Sequence, residues 1–262
     1  MNILVTNDDG VFAPGLWALA RELAQVGRVM VVAPDRGQSG VGTAVSLYRG
    51  LRVNKVFSLI EDVDAYAVPG TPADCVILGL GSLSEEPVDL VVSGINEGAN
   101  LGNDVLISGT VGAAFQGFFR GLPSIAISVA AFEDIDFVPA AKTAALLARQ
   151  VAEHALPNHV LLNVNVPNLP LEQIAGVAIT RLAHRNYMDL VETHHDALGR
   201  RYYSIVRGKP DWHVARNTDI WAIRKGMISI TPLHSDLVHR PSRCALEGWC
   251  AAIHQGLLAQ GS

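Results

Sequence analysis

The sequence predicts an open, doubly wound α/β fold with a mostly parallel sheet and a smaller, mixed C-terminal part that carries β-arms. Two observations lead there. Short, continuously apolar runs recur through the first two-thirds of the chain, as in residues 28–33 (RVMVVA), and strands covered on both faces are written this way. Between them lie segments whose apolar residues fall at helical spacing, so strand and helix alternate. A third observation places the chemistry. Polar, glycine-rich segments follow three of the strands, at the end where open parallel sheets bind their ligands.

Residues 2–6 form the first strand, broken by Asn7-Asp8-Asp9-Gly10. Pro14 suits a first helical turn; Leu16, Leu19, Ala20 and Leu23 follow at helical spacing, and Gly27 ends the run. Residues 28–33 are the second strand. Thr71 caps a helix with Pro72 at its first position. Residues 88–93 form another buried strand, Thr110 opens a helix rich in Gly, Ala and Phe, and residues 124–130 form a strand after Pro123. A long Ala/Leu helix over 139–155 precedes a strand at 159–164. After Pro167 the character changes. Strands at 174–181 and 201–206 are joined by a polar stretch holding His184, His194, His195 and Asp196; a helix at 219–224, a strand at 227–231 and a last helix from about Ser242 follow. The expected division is a core over 1–166 and a C-terminal lobe with arms over 167–262. No fixed-period repeat interrupts this pattern.

Composition narrows the class. The 262 residues are 49% hydrophobic and 17% charged, enough apolar material for a sizeable core and too little charge for a disordered chain. A net charge of −5 argues against a polymeric nucleic-acid partner, which favours a basic surface. The three cysteines, Cys75, Cys244 and Cys250, include no C-x-x-C pair, and free thiols in a reducing compartment are expected. No signal pattern opens the chain and no apolar stretch is long enough to span a bilayer, so a cytoplasmic protein without a membrane partner is expected.

The three polar segments are Asn7–Gly10, residues 34–40 (PDRGQSG) and residues 93–96 (SGIN). Neighbouring side chains of a strand point to opposite faces, so Asp8 and Asp9 can share an ion only where the strand ends and turns, as Gly10 permits. Two adjacent carboxylates repel unless a cation is present, and a hard divalent ion such as Mg²⁺ or Mn²⁺ removes the conflict. Ser39 and Asn96 offer neutral oxygens from the neighbouring loops. The same aspartates also suit a helix cap or an Asx turn. Ser108-Gly109-Thr110, entering a helix of small residues, presents N–H groups and hydroxyls to an anion; capping by Thr110 alone explains it equally well. Gln38-Ser39-Gly40 offers a second anion site. Asn100, Asn103 and Asp104 lie in a loop that suits either a solvated turn or a substrate contact.

Other features point elsewhere. His194-His195-Asp196 resembles a metal tract but has no partner motif, His234 reads as structural, and Arg200-Arg201 with Tyr202-Tyr203 reads as an exposed strand. No Walker A sequence, G-x-G-x-x-G or H-E-x-x-H occurs, which disfavours P-loop NTPases, NAD enzymes and zincins.

Taken in order, ILVTNDDG (3–10), APDRGQSG (33–40), SGIN (93–96), NLGNDVLISGTVGAA (100–114) and SITPLHSD (229–236) resemble the SurE survival proteins, the 5′/3′-nucleotidase family. The resemblance implies a Rossmann-like core and a phosphomonoesterase acting on nucleoside 5′-monophosphates, with 3′-nucleotides and short polyphosphate as further substrates in some relatives. It implies one divalent ion per subunit, Mg²⁺ or Mn²⁺, on Asp8, Asp9, Ser39 and Asn96, and a homodimer or tetramer with exchanged C-terminal arms. Ile107 departs from the family, whose members often carry Tyr there, and residues 184–213 match its pattern poorly.

The expected mechanism is hydrolysis of a phosphate monoester. Ser39, Gly40, Asn100, Ser108, Gly109 and Thr110 hold the phosphate, and Asp8 or Asp9 doubles as base to the attacking water. Two rivals stand beside it: a metal-dependent deacetylase of an N-acetyl sugar, and a non-catalytic nucleotide-binding module. The first recruits histidine for zinc, and no histidine occurs within the first 150 residues.

Overall fold

The structure is a computed structural model that describes residues 1–157, 159–186, 189–207, 211–212, 214–238, 242 and 246–259. Cys244, expected as a free thiol, lies outside the described residues, as does part of the segment expected to open the last helix. Cys75 is buried and free, and Cys250 is exposed and free.

In chain order the elements are β1 (Asn2–Thr6), α1 (Pro14–Leu23), β2 (Arg28–Pro34), β3 (Asn54–Val56), β4 (Asp64–Val68), α2 (Pro72–Leu78), β5 (Leu90–Glu97), α3 (Gly109–Phe118), β6 (Ser124–Val129), α4 (Val138–Ala152) and β7 (Leu161–Val166). The chain continues through β8 (Gly176–Ile179), β9 (Arg185–Asn186), β10 (Asp189–His195), β11 (Arg201–Arg207), β12 (Asp211–Trp212), α5 (Asp219–Arg224), β13 (Met227–Leu233) and α6 (Trp249–Ala259).

Among the described residues nine strands form one sheet in the order β3-β4-β2-β1-β5-β6-β7-β13-β8. From β4 to β7 every pairing is parallel; β3 and β13 run antiparallel to β4 and β7. The alternation of β1 explains the apolar run at its middle. Ile3 and Val5 face a core that includes Leu16, Leu19 and Leu23 of α1 and Ala144 of α4, while Leu4 faces the opposite core with Cys75 and Val76 of α2 and Ala113 of α3. With both faces covered, polar residues are confined to the two ends of this strand, Asn2 and Thr6.

Most predicted elements lie within a few residues of their expected bounds, and α2 starts as expected. The Thr71 hydroxyl accepts the Asp74 N–H, and the Asp74 carboxylate returns to the Thr71 N–H, a capping box. Four departures have physical causes. β5 runs to Glu97, beyond the predicted Ser93, because its pairing with β6 slips at a bulge between Ser93 and Asn96 and then resumes. β7 and β13 also extend further than predicted. β3 and β4 were not predicted, β3 being three residues of which two are polar and β4 being short, with polar residues at alternate positions. The polar stretch before residue 201 is itself a strand: β10 pairs with β11 from Asp189↔Arg207 to His195↔Arg201. Its turn is closed by Asp196, which accepts the Leu198 and Arg200 N–H groups and pairs with the Arg200 guanidinium at 2.7 Å. This ribbon is separate from the nine-stranded sheet. No helix among the described residues is long and apolar enough to cross a membrane.

Candidate active site

In the sheet β1 lies between β2 and β5, and the order of winding reverses there, so the loops leaving these three strands meet at one crevice. Asn7 sets the first loop. Its side-chain amide donates to the Gly10 carbonyl at 3.0 Å and accepts the Gly10 N–H at 3.2 Å, and Gly10 takes φ +105° to complete the turn. The second loop is tied to the first where the Gln38 N–H donates to the Asp8 carbonyl at 2.7 Å. Asp8, Ser39, Gly40, Asn96, Asn100 and Ser108 line one cleft of about 350 Å³, together with Ile107 and Phe132. Asn96 sits at the resumption of β5 pairing after the bulge, a device that re-aims a side chain next to a site. Its amide nitrogen donates to the Gly98 carbonyl at 2.5 Å, which leaves the amide oxygen as its acceptor.

The carboxylates are electrostatically strained without a cation. Burial pushes Asp8 above the usual carboxylate range, against the pull of the Thr110 hydroxyl, which donates to Asp8 Oδ1 at 2.5 Å. Burial, then the charges of Asp8 and Glu97, raises Asp9 to about 7. Asp9 Oδ2 is buried with no hydrogen-bond partner among the described residues. An orphaned buried oxygen beside a second carboxylate, with a serine hydroxyl and an amide oxygen at hand, fits a hard divalent ion. The described donors that line the cleft, Asp8, Ser39 and Asn96, offer oxygens rather than the imidazoles and thiolates that suit zinc.

The phosphate side departs from expectation in one respect. The cap of α3 is Ser108, whose hydroxyl accepts the Val111 N–H at 3.1 Å; it is not Thr110. Thr110 lies inside the first turn, fully buried, with its hydroxyl committed to Asp8. The helix can approach so closely because residue 109 has no side chain: a Cβ there would stand 2.8 Å from Asp8 Cβ and 3.2 Å from the Gln38 carbonyl.

Asn100 proves to be held rather than solvated. Its N–H donates to Asn165 Oδ1 at 2.8 Å, its carbonyl accepts from Asn163 at 2.8 Å and Asn165 at 3.1 Å, and its amide donates to Ser128 at 2.9 Å. Two residues on, the Gly102 N–H donates to Asp219 at 2.7 Å, and the other Asp219 oxygen accepts the Ala183 N–H at 3.0 Å. Asp104 is buried in a 3₁₀ turn over Gly102–Leu106, which corrects the solvated-turn reading. Ser128, Asn163, Asn165 and Asp219 were missed as site-supporting residues, although two asparagines two apart in LLNVNV fall on one strand face and break an apolar run.

The remaining candidates lie away from the cleft lining. His194 stacks on Tyr202 with centroids 5.1 Å apart, and His195 belongs to the same ribbon. His234 packs edge-on to Phe118, and its Nδ1 accepts the Asp236 N–H. Among the described residues no histidine lines the cleft, and the zinc-deacetylase alternative finds no support there.

Comparison with known proteins agrees with this geometry. The family model described as "Survival protein SurE" matches residues 3–189. A protein of Dehalococcoides mccartyi strain CBDB1 named 5′-nucleotidase SurE is 51% identical over 245 residues, covering 92% of this chain and 91% of that one. A namesake from Geobacter sulfurreducens is 47% identical over 250 residues, covering 95% and 94%. The crystal structure of the SurE protein from Aquifex aeolicus superposes with a TM-score of 0.80 at 41% identity, covering 94% of this chain and 98% of that one. With its motifs in order, its sheet wound as expected and this similarity along almost its whole length, the chain belongs to the SurE survival protein family.

Proposed function

We propose that this protein is a 5′-nucleotidase, hydrolysing nucleoside 5′-monophosphates to nucleoside and phosphate with one divalent ion, Mg²⁺ or Mn²⁺, held by Asp8, Asp9, Ser39 and Asn96. The observation that carries the reading is buried Asp8, which faces the N-terminus of α3 in one cleft with Ser39 and Asn96, with half-buried Asp9 next to it in the chain. The names of the relatives support the substrate class. When bound, the ion supplies Lewis acidity and a more acidic water. The chain's own residues do the rest. The Thr110 hydroxyl donates to Asp8 and favours its charged form against the effect of burial. Ser39, Gly40, Ser108 and Gly109 bind the phosphoryl oxygens with hydroxyls and N–H groups backed by the helix dipole. Asn100, fixed by β6 and β7, borders the phosphate; the Thr110 hydroxyl, first read as a phosphate donor, acts here through Asp8. One carboxylate of the pair accepts a proton from the attacking water as the water oxygen bonds to phosphorus and the P–O bond to the nucleoside breaks, and a proton passes to the departing nucleoside oxygen to leave a hydroxyl.

The proposal extends to 3′-nucleotides and short polyphosphate as further substrates, to a cytoplasmic location, which the buried free thiol of Cys75 suits, and to a dimer or tetramer built by exchange of arms from the C-terminal part, residues 167–262. An isolated two-stranded ribbon is marginal in water, yet β10 and β11 expose Val191, Tyr202, Tyr203 and Ile205, and α6 exposes Trp249, Ile253, Leu257 and Leu258. A partner subunit accounts for both surfaces.

The test is phosphate release from a panel of 5′- and 3′-nucleotides and polyphosphate, after chelation and return of Mg²⁺ or Mn²⁺. Turnover of 5′-monophosphates that vanishes with chelation and returns with metal is expected. Silence across the panel with both metals would refute the reading.

A further inference from the structure

The cleft ends in an aromatic ring that neither metal nor phosphate chemistry uses. Phe132 lies just beyond β6, lines the cleft with Asp8, Ser39, Asn96 and Ser108, and is 75% exposed. Phe12 and Phe57 are at least as exposed, but neither lines this cleft; what sets Phe132 apart is an open ring beside a polar floor. The ring has a built seat. Its edge lies against Gly98, where any Cβ would overlap ring atoms Cε1 and Cζ. Gly98 adopts φ +104°, and its N–H donates to the Val129 carbonyl at 3.0 Å, which ties the end of β5 to the end of β6 beneath the ring. From the loop before α3, Ile107 adds an exposed apolar side chain to the same cleft. The cleft is therefore divided, with carboxylates and hydroxyls on one part and a flat apolar surface on another. A ligand that matches both carries a phosphate and a planar, apolar group.

We propose that Phe132 is the platform on which the substrate's nucleobase stacks, so that it separates nucleotides from other phosphate monoesters. This rests on the nucleotidase reading above. Every base has a π-face, so a lone ring accepts purines and pyrimidines alike and discriminates instead against esters that lack a base.

The experiment is steady-state kinetics of the full-length, metal-saturated protein on AMP and on ribose 5-phosphate, for wild type, Phe132→Ala and Phe132→Trp. Loss of a stacking partner is expected to lower kcat/KM for AMP roughly tenfold, chiefly through KM, since it removes binding shared by ground and transition states. Ribose 5-phosphate turnover is expected to be unchanged by Phe132→Ala, and Phe132→Trp is expected to keep AMP turnover near that of wild type. A wild type active on AMP with Phe132→Ala equally active, or a loss of the same size on both substrates, would overturn the platform alone. A wild type inactive on both would overturn the nucleotidase reading and the platform with it. Because the ring is exposed, unchanged thermal melting of both variants checks that folding is not the cause.

Discussion

Asp9 carries the sharpest consequences of any single residue. Its ordinary value of 3.8 rises to about 7 in the fold, first through burial and then through Asp8 and Glu97. The folded metal-free protein therefore holds a proton that the unfolded chain has released, so its stability falls as pH rises from about 4 to about 7. A divalent ion displaces that proton and reverses the penalty. Thermal melts with and without Mg²⁺ should show a larger metal-induced rise at pH 8 than at pH 5; a rise independent of pH would contradict the assignment of the ion to this pair. Asp9→Asn keeps the shape but removes the charge, and should lower turnover by roughly a hundredfold or more with circular dichroism unchanged. Unaltered phosphate release would show that Asp9 is not part of the machinery. The position of the aspartate pair was legible in the sequence, because an apolar strand ends there and Gly10 permits the turn. The direction of the Thr110 hydroxyl was not, since Ser108 and Thr110 are both good caps and only the packing of α3 on Asp8 decides between them.

At the scale of elements, two contacts position the cleft. Helix α3 meets Asp8 through Gly109, and a Cβ there would press on the Asp8 side chain at 2.8 Å. Gly109→Ala should cut kcat/KM tenfold or more and lower the melting temperature as well, because the added Cβ must displace buried Asp8 and a small misplacement of reacting groups is costly. Strand β7 fixes the Asn100 loop through Asn163 and Asn165. Asn165→Ala leaves the buried Asn100 N–H without its partner, at about 1–3 kcal/mol, and should raise KM for nucleotides several-fold; equilibrium urea unfolding and kinetics on one preparation check both. The strands that carry these loops were legible from their apolar runs. Strand β10 was not, because its order comes from pairing with β11 and its side chains are largely polar; short β4 alternates buried and half-buried positions and lacks the continuous apolar signal.

For the whole molecule, the winding of the sheet was legible because helices α1, α2, α3 and α4 join parallel strands, although β2 reaches its parallel neighbour β4 without one, and that pattern brings the loops after β1, β2 and β5 together. The path of the C-terminal part was less so, since β13 enters the same sheet antiparallel to β7, with β8 outside it. Among its residues Asp219 matters most. Fully buried, it accepts N–H groups from Gly102, Ala183 and Ile220. Asp219→Ala strands those donors and should lower stability by about 3 kcal/mol, read as a lower urea midpoint. The exposed ribbon and α6 predict an assembly larger than one chain; sedimentation should find a dimer or tetramer at micromolar concentration, and a monomer throughout would remove arm exchange.

The bond between Gly102 and Asp219 joins positions 117 residues apart. A chain made from its N-terminus has all four proposed metal ligands once residue 96 emerges, long before residue 219 exists to pin the loop beside them. Synthesis thus parts two events that the finished structure presents together: the means to hold an ion come early, and the last wall of the cleft is fixed only when the chain is nearly complete.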